Sequence, residues 1–411
     1  MRVLILSWEY PPLIEGGLAR HVRKLAENLV AQDVDVHVLA RGLEESPAEE
    51  ECEGVVVHRV REPERPRDLT EFVTWIEHMN ADMLAAGVEV GDQYSFDVVH
   101  GHDWLVAGAG DHLAKRFRCP FVTTIHATEY GRHQGWVDKH PQSYIHEVER
   151  WMANRAERVI TCSAYMREHV ADIYGLEEKA IAVIPNGIDP SELVPVDDLD
   201  TLRSRFARPD ERLVLLVGRL VYEKGFQLAL EALPGLIERV GNVRFMVAGS
   251  GTAEAELHGQ AHDLGLDERG TFLGWIGDDV LHSLYRISDL TVVPSIYEPF
   301  GLVALEAMAS GCPCLVADTG GLREVVPNEN VGLRFRSRDP ESLGQMAERL
   351  LTDADLRDRL VAEASEHVLT FDWADVARQA AELYGDVLAP SATFADPGWR
   401  PAGERGGARP L

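Results

Sequence analysis

Two successive series of alternating strand and helix patterns predict an α/β protein built from two doubly wound, Rossmann-like domains facing one another across a cleft. Three observations carry this prediction. Short apolar runs bounded by turn residues alternate with amphipathic helical stretches, as expected of βα units whose strands are buried on both faces. The alternation halts at Pro185-Asn186-Gly187-Ile188-Asp189-Pro190, a dense turn signal, and at the acidic, proline-containing segment Glu192–Asp200. It then restarts at Leu213, and 411 residues accommodate two or three domains of roughly 150 residues each.

In the first series Val3–Leu6 reads as a buried strand, and Leu18–Ala31 as a helix with Leu18, Val22, Leu25 and Leu29 on one face. Further strands are predicted at Val34–Leu39, Val55–Val60, Asp97–Gly101, Phe121–Ile125, Arg158–Thr161 and Ile181–Ile184. Helical patterns near 69–90, 104–117, 141–156 and 163–174 lie between them. The second series places strands at Leu213–Val217, Val243–Ala248, Thr271–Leu273, Leu290–Val293 and Cys314–Ala317, with helices at about 224–239, 252–264, 277–286 and 301–310. Helices near 340–352, 354–368 and 373–388 close the pattern. The boundaries that follow are a first domain over 1–190, a second over 191–372, a helix over 373–390 crossing back to the first, and a disordered Gly-, Pro-, Ala- and Arg-rich tail over 391–411.

Lys and Arg total 40 against 68 Asp and Glu, a formal charge of −28. A field of that sign repels phosphate backbones and argues against a nucleic-acid partner. The five lysines against 35 arginines fit either a GC-rich genome or a salt-adapted surface. No run approaches the ~18 consecutive apolar residues of a membrane helix. The opening Met1–Ser7 is too short for a leader before the polar Glu9, so the reading is a cytoplasmic protein without stable membrane insertion. Cys52, Cys119, Cys162, Cys312 and Cys314 are scattered, odd in number and lack a CxxC, and read as buried reduced thiols.

Ligands of open α/β sheets bind at the carboxyl ends of strands, so the segments just after strands matter most. After the first strand, Gly16-Gly17 opens a helix whose free N–H groups can hold an anion, although two glycines also suit an ordinary turn. In the second series Gly218-Arg219 and Lys224 flank a helix start and suit a diphosphate, Arg as a fork and Lys as a point charge. Glu298 stands in the loop before Gly301-Leu302-Val303, and Glu306 lies inside the helix that follows. That spacing puts the two acids on different surfaces, which fits two hydroxyl-binding roles better than a shared acid/base pair. In the first series His100-Gly101-His102-Asp103 and His126 follow strands. Alternating residues at a strand end make a poor three-ligand metal site without a further partner, so Asp103 and His126 read as hydrogen-bonding groups for sugar hydroxyls. His133 and Trp136 are candidates for stacking on a sugar.

Together these residues resemble the retaining glycosyltransferases of the two-Rossmann-domain (GT-B) type, family 4, near glycogen and starch synthases. The likeness runs from Met1 to about Leu388 and rests on Gly16-Gly17, His126, the Arg219-x4-Lys224 pair and the Glu298-x7-Glu306 pair. The resemblance implies that Gly17 lends its N–H to a donor phosphate, and that Arg219 and Lys224 neutralise the leaving diphosphate. It implies that Glu298 holds donor-sugar hydroxyls, Glu306 the ribose, and His126 the sugar's 6-hydroxyl. Asp103 matches the acid of the His-Asp-Trp segment of glycogen synthases. Gly218, Gly249-Ser250-Gly251, Trp275, Ile276, Phe300, Gly301, Leu302 and Val303 would line the nucleotide, and Glu9, Tyr10, His133, Trp136 and Asn186 the acceptor.

No metal or other cofactor is implied; the partners implied are a sugar nucleotide and an oligosaccharide or α-glucan. The segments Ser7–Pro12, Gly17–Val22 and His126–Glu129 look most like the actinobacterial branch linked to methylglucose lipopolysaccharide and α-glucan synthesis. Bacterial glycogen synthases carry Lys-Thr-Gly-Gly-Leu at the first loop, whereas Ile14-Glu15 precedes Gly16-Gly17 here, which brings UDP-glucose level with ADP-glucose as donor. A phosphorylase needs a lysine for pyridoxal phosphate, and Lys224 is already committed. Other readings are an epimerase of the same fold, transfer of another sugar such as mannose from GDP-mannose to a lipid or small molecule, and a non-catalytic nucleotide-sugar-binding protein. The locally basic stretch Arg59–Arg67 is broken by acids and prolines and reads as a solvated loop.

Overall fold

The computed structural model describes residues 1–62 and 69–389. The first domain runs β1 (Arg2–Ser7), α1 (Gly17–Val30), β2 (Asp35–Gly42), β3 (Glu49–Cys52), β4 (Val55–Arg61), α2 (Leu69–Gln93), β5 (Val98–His102), α3 (Ala107–Phe117), β6 (Phe121–Ile125), α4 (Glu129–Arg132), α5 (Gln142–Arg155), β7 (Arg158–Thr161), α6 (Ala164–Tyr174) and β8 (Ile181–Val183). The second runs α7 (Leu199–Ser204), β9 (Arg212–Val217), α8 (Phe226–Val240), β10 (Val243–Ala248), α9 (Glu254–Asp263), β11 (Gly270–Gly274), α10 (Asp278–Ile287), β12 (Leu290–Val293), α11 (Leu302–Ala309), β13 (Cys314–Ala317), α12 (Leu322–Val325), β14 (Leu333–Phe335), α13 (Pro340–Thr352) and α14 (Ala354–His367), and α15 (Trp373–Leu388) follows it.

The first sheet has the order β3-β4-β2-β1-β5-β6-β7-β8, and the second β11-β10-β9-β12-β13-β14. Every pairing is parallel except β3 with β4. Each order reverses direction once, between β1 and β5 and between β9 and β12. At such a switch point the crossovers leave to opposite faces and open a crevice. The loops bordering the two crevices are therefore those after β1, β5, β9 and β12, which carry Gly16-Gly17, Asp103, Arg219 to Lys224, and Glu298.

Strands β1, β5 and β6 are buried along nearly their whole length, which explains their unbroken apolar runs. Local chemistry fixes the helix starts: Ser163 Oγ accepts from Met166 N at 3.1 Å to begin α6, and Asp339 with Pro340 begins α13. Strand β3 gives no apolar signal because its Glu49-Glu50-Glu51-Cys52 is an exposed antiparallel edge. It also places Cys52 in solvent, and Cys119 is half-buried, so only Cys162, Cys312 and Cys314 are buried thiols. All five are free.

Helix α15 lies on the first domain. Its Trp373, Val376, Ala377, Ala380 and Tyr384 pack into one core with Val22, Leu25, Ala26 and Leu29 of α1, and Tyr384 Oη bonds His100 Nδ1 at 2.7 Å. No helix among the described residues is long and apolar enough to cross a membrane. The tail over 391–411 and Pro63–Arg67 of the basic stretch lie outside the described residues.

Candidate active site

The loop after β1 is organised by Glu9. Its Oε2 accepts hydrogen bonds from Glu15 N at 2.6 Å and Gly16 N at 3.1 Å, and burial is the main reason its pKa is raised. Glu9 thus holds the glycine loop through Oε2. Tyr10 is a core residue packed with Val38 and Ala40, and its ring is withdrawn from any sugar. Glu15 pairs at 3.1 Å with the fully buried Arg41, which also lies 4.2 Å over the Trp8 ring. Gly17 then begins α1 and backs onto Leu302 at the start of α11. Two helix N-termini, one from each domain, therefore converge, and both favour an anion between them.

In the second domain three loops meet backbone to backbone. Gly218 N donates to Ala248 O at 3.0 Å, Gly249 N to Gly274 O at 2.8 Å, and Leu220 N to Ser250 O at 2.9 Å. Gly249 has φ +138°, and a Cβ there would lie 1.9 Å from Gly218 O, so only glycine permits the approach. A Cβ at Gly251 would lie 2.3 Å from Leu220 O. Trp275 is 77% exposed beside the half-buried Ile276. The Arg219 side chain is more than half exposed, 3.8 Å from Glu223. Lys224 Nζ donates to Glu298 Oε2 at 2.8 Å, and Ser295 Oγ donates to the same oxygen at 2.9 Å. Gly225, at φ +71°, lets these loops touch, since a Cβ would sit 2.0 Å from Pro294 O. Phe300 differs from its expected role. Its ring is buried, 5.8 Å from Phe371, so only its backbone borders the cleft, next to Gly301 and the half-buried Leu302 and Val303.

Glu306 lies on α11. Its Oε2 accepts from Tyr285 Oη at 2.8 Å, Arg20 of the first domain stands 3.9 Å from Oε1, and burial raises its pKa. Arg20 also bonds Asp278 at the start of α10.

Across the cleft, Asp103 has φ +60° and ψ 173°, a backbone region that is essentially glycine's own and costs about 1–3 kcal/mol for other residues. The strained turn directs Oδ1 to His126 N at 2.8 Å. Burial lifts the Asp103 pKa to about 6, against the opposing charge of Arg132. His126 Nε2 bonds His102 Nδ1 at 3.0 Å, and burial lowers its pKa to about 4, leaving a neutral ring at pH 7. Among the described residues His21, His102 and His126 each bring one nitrogen within 4.8 Å of the others, the grouping most able to hold a metal. His21, from α1, is the partner that the strand-end histidines lacked in sequence. Beneath them Glu149 accepts from Glu129 N at 3.0 Å and from Tyr174 Oη at 2.6 Å, with a pKa raised by burial to about 8.

The remaining acceptor candidates separate. Asn186 is buried alongside His21, Val376 and Ala380. His133 pairs with Glu129 at 3.1 Å. Trp136, at the end of a turn containing Gln134 and Gly135 with positive φ, is 77% exposed. Spacing gave no sign of Arg20, His21, Glu149 or Tyr297, because each acts on a partner far away in the chain.

Two Rossmann-type domains whose strand-end loops carry two helix N-termini, the cations Arg219 and Lys224 and the carboxylates Glu298 and Glu306 have the GT-B fold. The family comparisons agree along the chain: residues 15–192 match the model described as Glycosyltransferase Family 4, and residues 199–367 that described as Glycosyl transferases group 1. The chain is 37% identical over 397 residues to a glycogen synthase of Mycobacterium tuberculosis, covering 93% of this chain and 94% of that one. It is 36% identical over 389 residues to an uncharacterized glycosyltransferase of Methanocaldococcus jannaschii, covering 93% and 98%. Sucrose-phosphate synthase from Thermosynechococcus elongatus superposes with a TM-score of 0.81 at 26% identity, over 95% of this chain and all of that one. The chain belongs to this glycosyltransferase family, and is a transferase.

Proposed function

We propose that the protein is a retaining, metal-independent hexosyltransferase that moves glucose from UDP-glucose or ADP-glucose to an α-1,4-glucan or a related glucose-containing acceptor. The observation that carries this reading is the placement of Lys224 and Glu298 on loops at one switch point, opposite Asp103 on a loop at the other and His126 on the neighbouring loop after β6. In the reaction the bond from sugar C1 to the diphosphate oxygen breaks, and the acceptor oxygen bonds C1 from the same face. The acceptor's proton passes to the departing phosphate oxygen. Arg219, Lys224 and the N-termini of α1 and α11 stabilise the charge left on the diphosphate, while Glu298 and the neutral His126 hold the sugar's hydroxyls. Such preorganised groups each supply several kcal/mol of transition-state stabilisation, about 2.7–4 for one donor. Glu306 and Arg20 flank the ribose, and the glucose-donor reading draws on the likeness to glycogen synthase.

The test is transfer from radiolabelled UDP-glucose, ADP-glucose and GDP-mannose to maltooligosaccharides with EDTA present. Chain extension from a glucose donor supports the proposal; extension only from GDP-mannose, or only without EDTA, overturns its sugar or its metal independence.

Two further outcomes are expected. Trp136→Ala should raise the acceptor KM by up to about tenfold with the donor KM unchanged, since one stacked ring contributes about 0.5–1.5 kcal/mol; initial rates at varied acceptor check this. Transfer should also fall as pH drops through about 6, where Asp103 takes up its proton and its carboxylate stops accepting fully from His126 N. An Asp103→Asn enzyme, neutral at every pH, should be slower at pH 7.5 and lack that acid limb, which a pH–rate profile reads.

A further inference from the structure

We infer that Tyr297 is a positioning residue whose hydroxyl ties the His126 segment of the first domain to the Glu298 loop of the second, fixing the two sides of the donor-sugar subsite in one geometry. The inference rests on the proposed assignment of His126 and Glu298 to that subsite.

Tyr297 immediately precedes Glu298 and belongs to the second domain, yet its buried ring is lodged in the first. The hydroxyl accepts from Thr128 N at 3.1 Å, lies 3.2 Å from Thr128 Oγ1 and donates to Met166 Sδ at 3.4 Å. The ring rests on α4 where residue 131 is glycine; a Cβ there would come within 2.2 Å of the Tyr297 Cζ. Thr128 is two residues beyond His126, whose own N–H is held by Asp103 at 2.8 Å. On the other side, Ile296 N and Tyr297 N donate to Glu223 O at 2.8 and 3.2 Å, next to Lys224, which bonds Glu298. A continuous path thus runs from Asp103 through His126 and Thr128 to Tyr297, and on through Glu298 to Lys224.

Other contacts hold the domains together without touching the His126 segment. Ser163 Oγ donates to Pro299 O at 2.7 Å, and Glu324 accepts from Ala164 N and Tyr165 N at 2.9 and 3.0 Å. Loss of the hydroxyl therefore leaves these interdomain contacts in place and removes the hold on Thr128 N, with His126 N still bonded to Asp103. The buried hydroxyl is used up by protein partners, so it acts through its neighbours and not on substrate.

Tyr297→Phe keeps the ring and removes the hydroxyl. The expected kcat for transfer from the wild type's glucose donor falls about 10- to 100-fold, as for a misplacement near 1 Å, while calorimetric Kd values for UDP and ADP stay within about twofold. Adding His126→Ala to Tyr297→Phe should cost little more than His126→Ala alone, since the two act as a unit. Gly131→Ala, which displaces the ring, should shift kcat the same way. Hydrogen exchange gives a readout without any donor: amides of 126–131 should exchange faster in Tyr297→Phe, and those of 163–166 should not. Unchanged exchange of 126–131, unchanged kcat, equal losses of kcat and nucleotide affinity, or full additivity with His126→Ala would each overturn the inference. Wild-type silence with both glucose donors, together with the expected exchange pattern, would sink the proposed function and leave the tether standing.

Discussion

Glu298→Gln is expected to slow glucosyl transfer by about 10²–10³-fold with the fold intact, the loss typical of removing one preorganised group at a transition state. The carboxylate is only 9% exposed, and its Oε2 is taken by Lys224 and Ser295. Among the described residues Oε1 has no hydrogen bond of its own, so that oxygen is the one available to a sugar hydroxyl. Glutamine preserves shape but cannot offer two acceptor oxygens: an amide nitrogen toward Lys224 places donor against donor, and one toward the sugar loses the acceptor. Alanine should be worse, because it also leaves Lys224 half-buried without its counter-charge. Steady-state kcat and KM with labelled donor, beside a thermal melt, check both variants. Near-native turnover in the pair would remove Glu298 from the site.

Lys224→Ala should cost a comparable or larger factor, about 10³-fold, and the loss should fall on kcat more than on donor KM. The reason is where charge develops. The donor's diphosphate already carries charge in the ground state, but the bridging oxygen gains its share only as the C1–O bond breaks, so a cation fixed nearby favours the transition state over the bound substrate. Lys224 is fixed by Glu298 at 2.8 Å and by the backbone approach of Gly225 to Pro294. Lys224→Arg should recover little, since a planar fork on a longer stem cannot put its charge at the same point. Comparing kcat, donor KM and UDP or ADP affinity across the three enzymes decides the matter; an effect confined to KM would assign Lys224 to ground-state binding.

The parallel strands were legible because burial on both faces leaves continuous apolar runs, and the main helices because one buried stripe repeats with their period. The elements that escaped are those with no such constraint: acidic β3 on an exposed edge, and the short β14, α12, α4 and α7, of three, four, four and six residues. The site was legible loop by loop. Arg219, Lys224, Glu298 and Glu306 stand just after strands or inside the helix that follows, and the fold carries the loops of Asp103 and His126 to the facing domain. Side-chain direction was not legible. Glu9, Tyr10, Phe300 and Asn186 lie on cleft-bordering segments, yet Glu9 turns back on its own loop, and the other three side chains are buried.

By itself, then, the sequence determined two βα series, their order, and the strand ends at which chemistry is placed, because strand burial, helix periodicity and turn preference act over a few neighbouring residues. Only the tertiary structure decided which partners meet. Arg20 with Asp278 and Glu306, His21 with His126, Tyr297 with Thr128, and Glu324 with the start of α6 each join residues more than a hundred positions apart. Such contacts leave no local pattern, since their energy exists only once the sheets have formed and, for all but the histidine pair, the two domains are packed together.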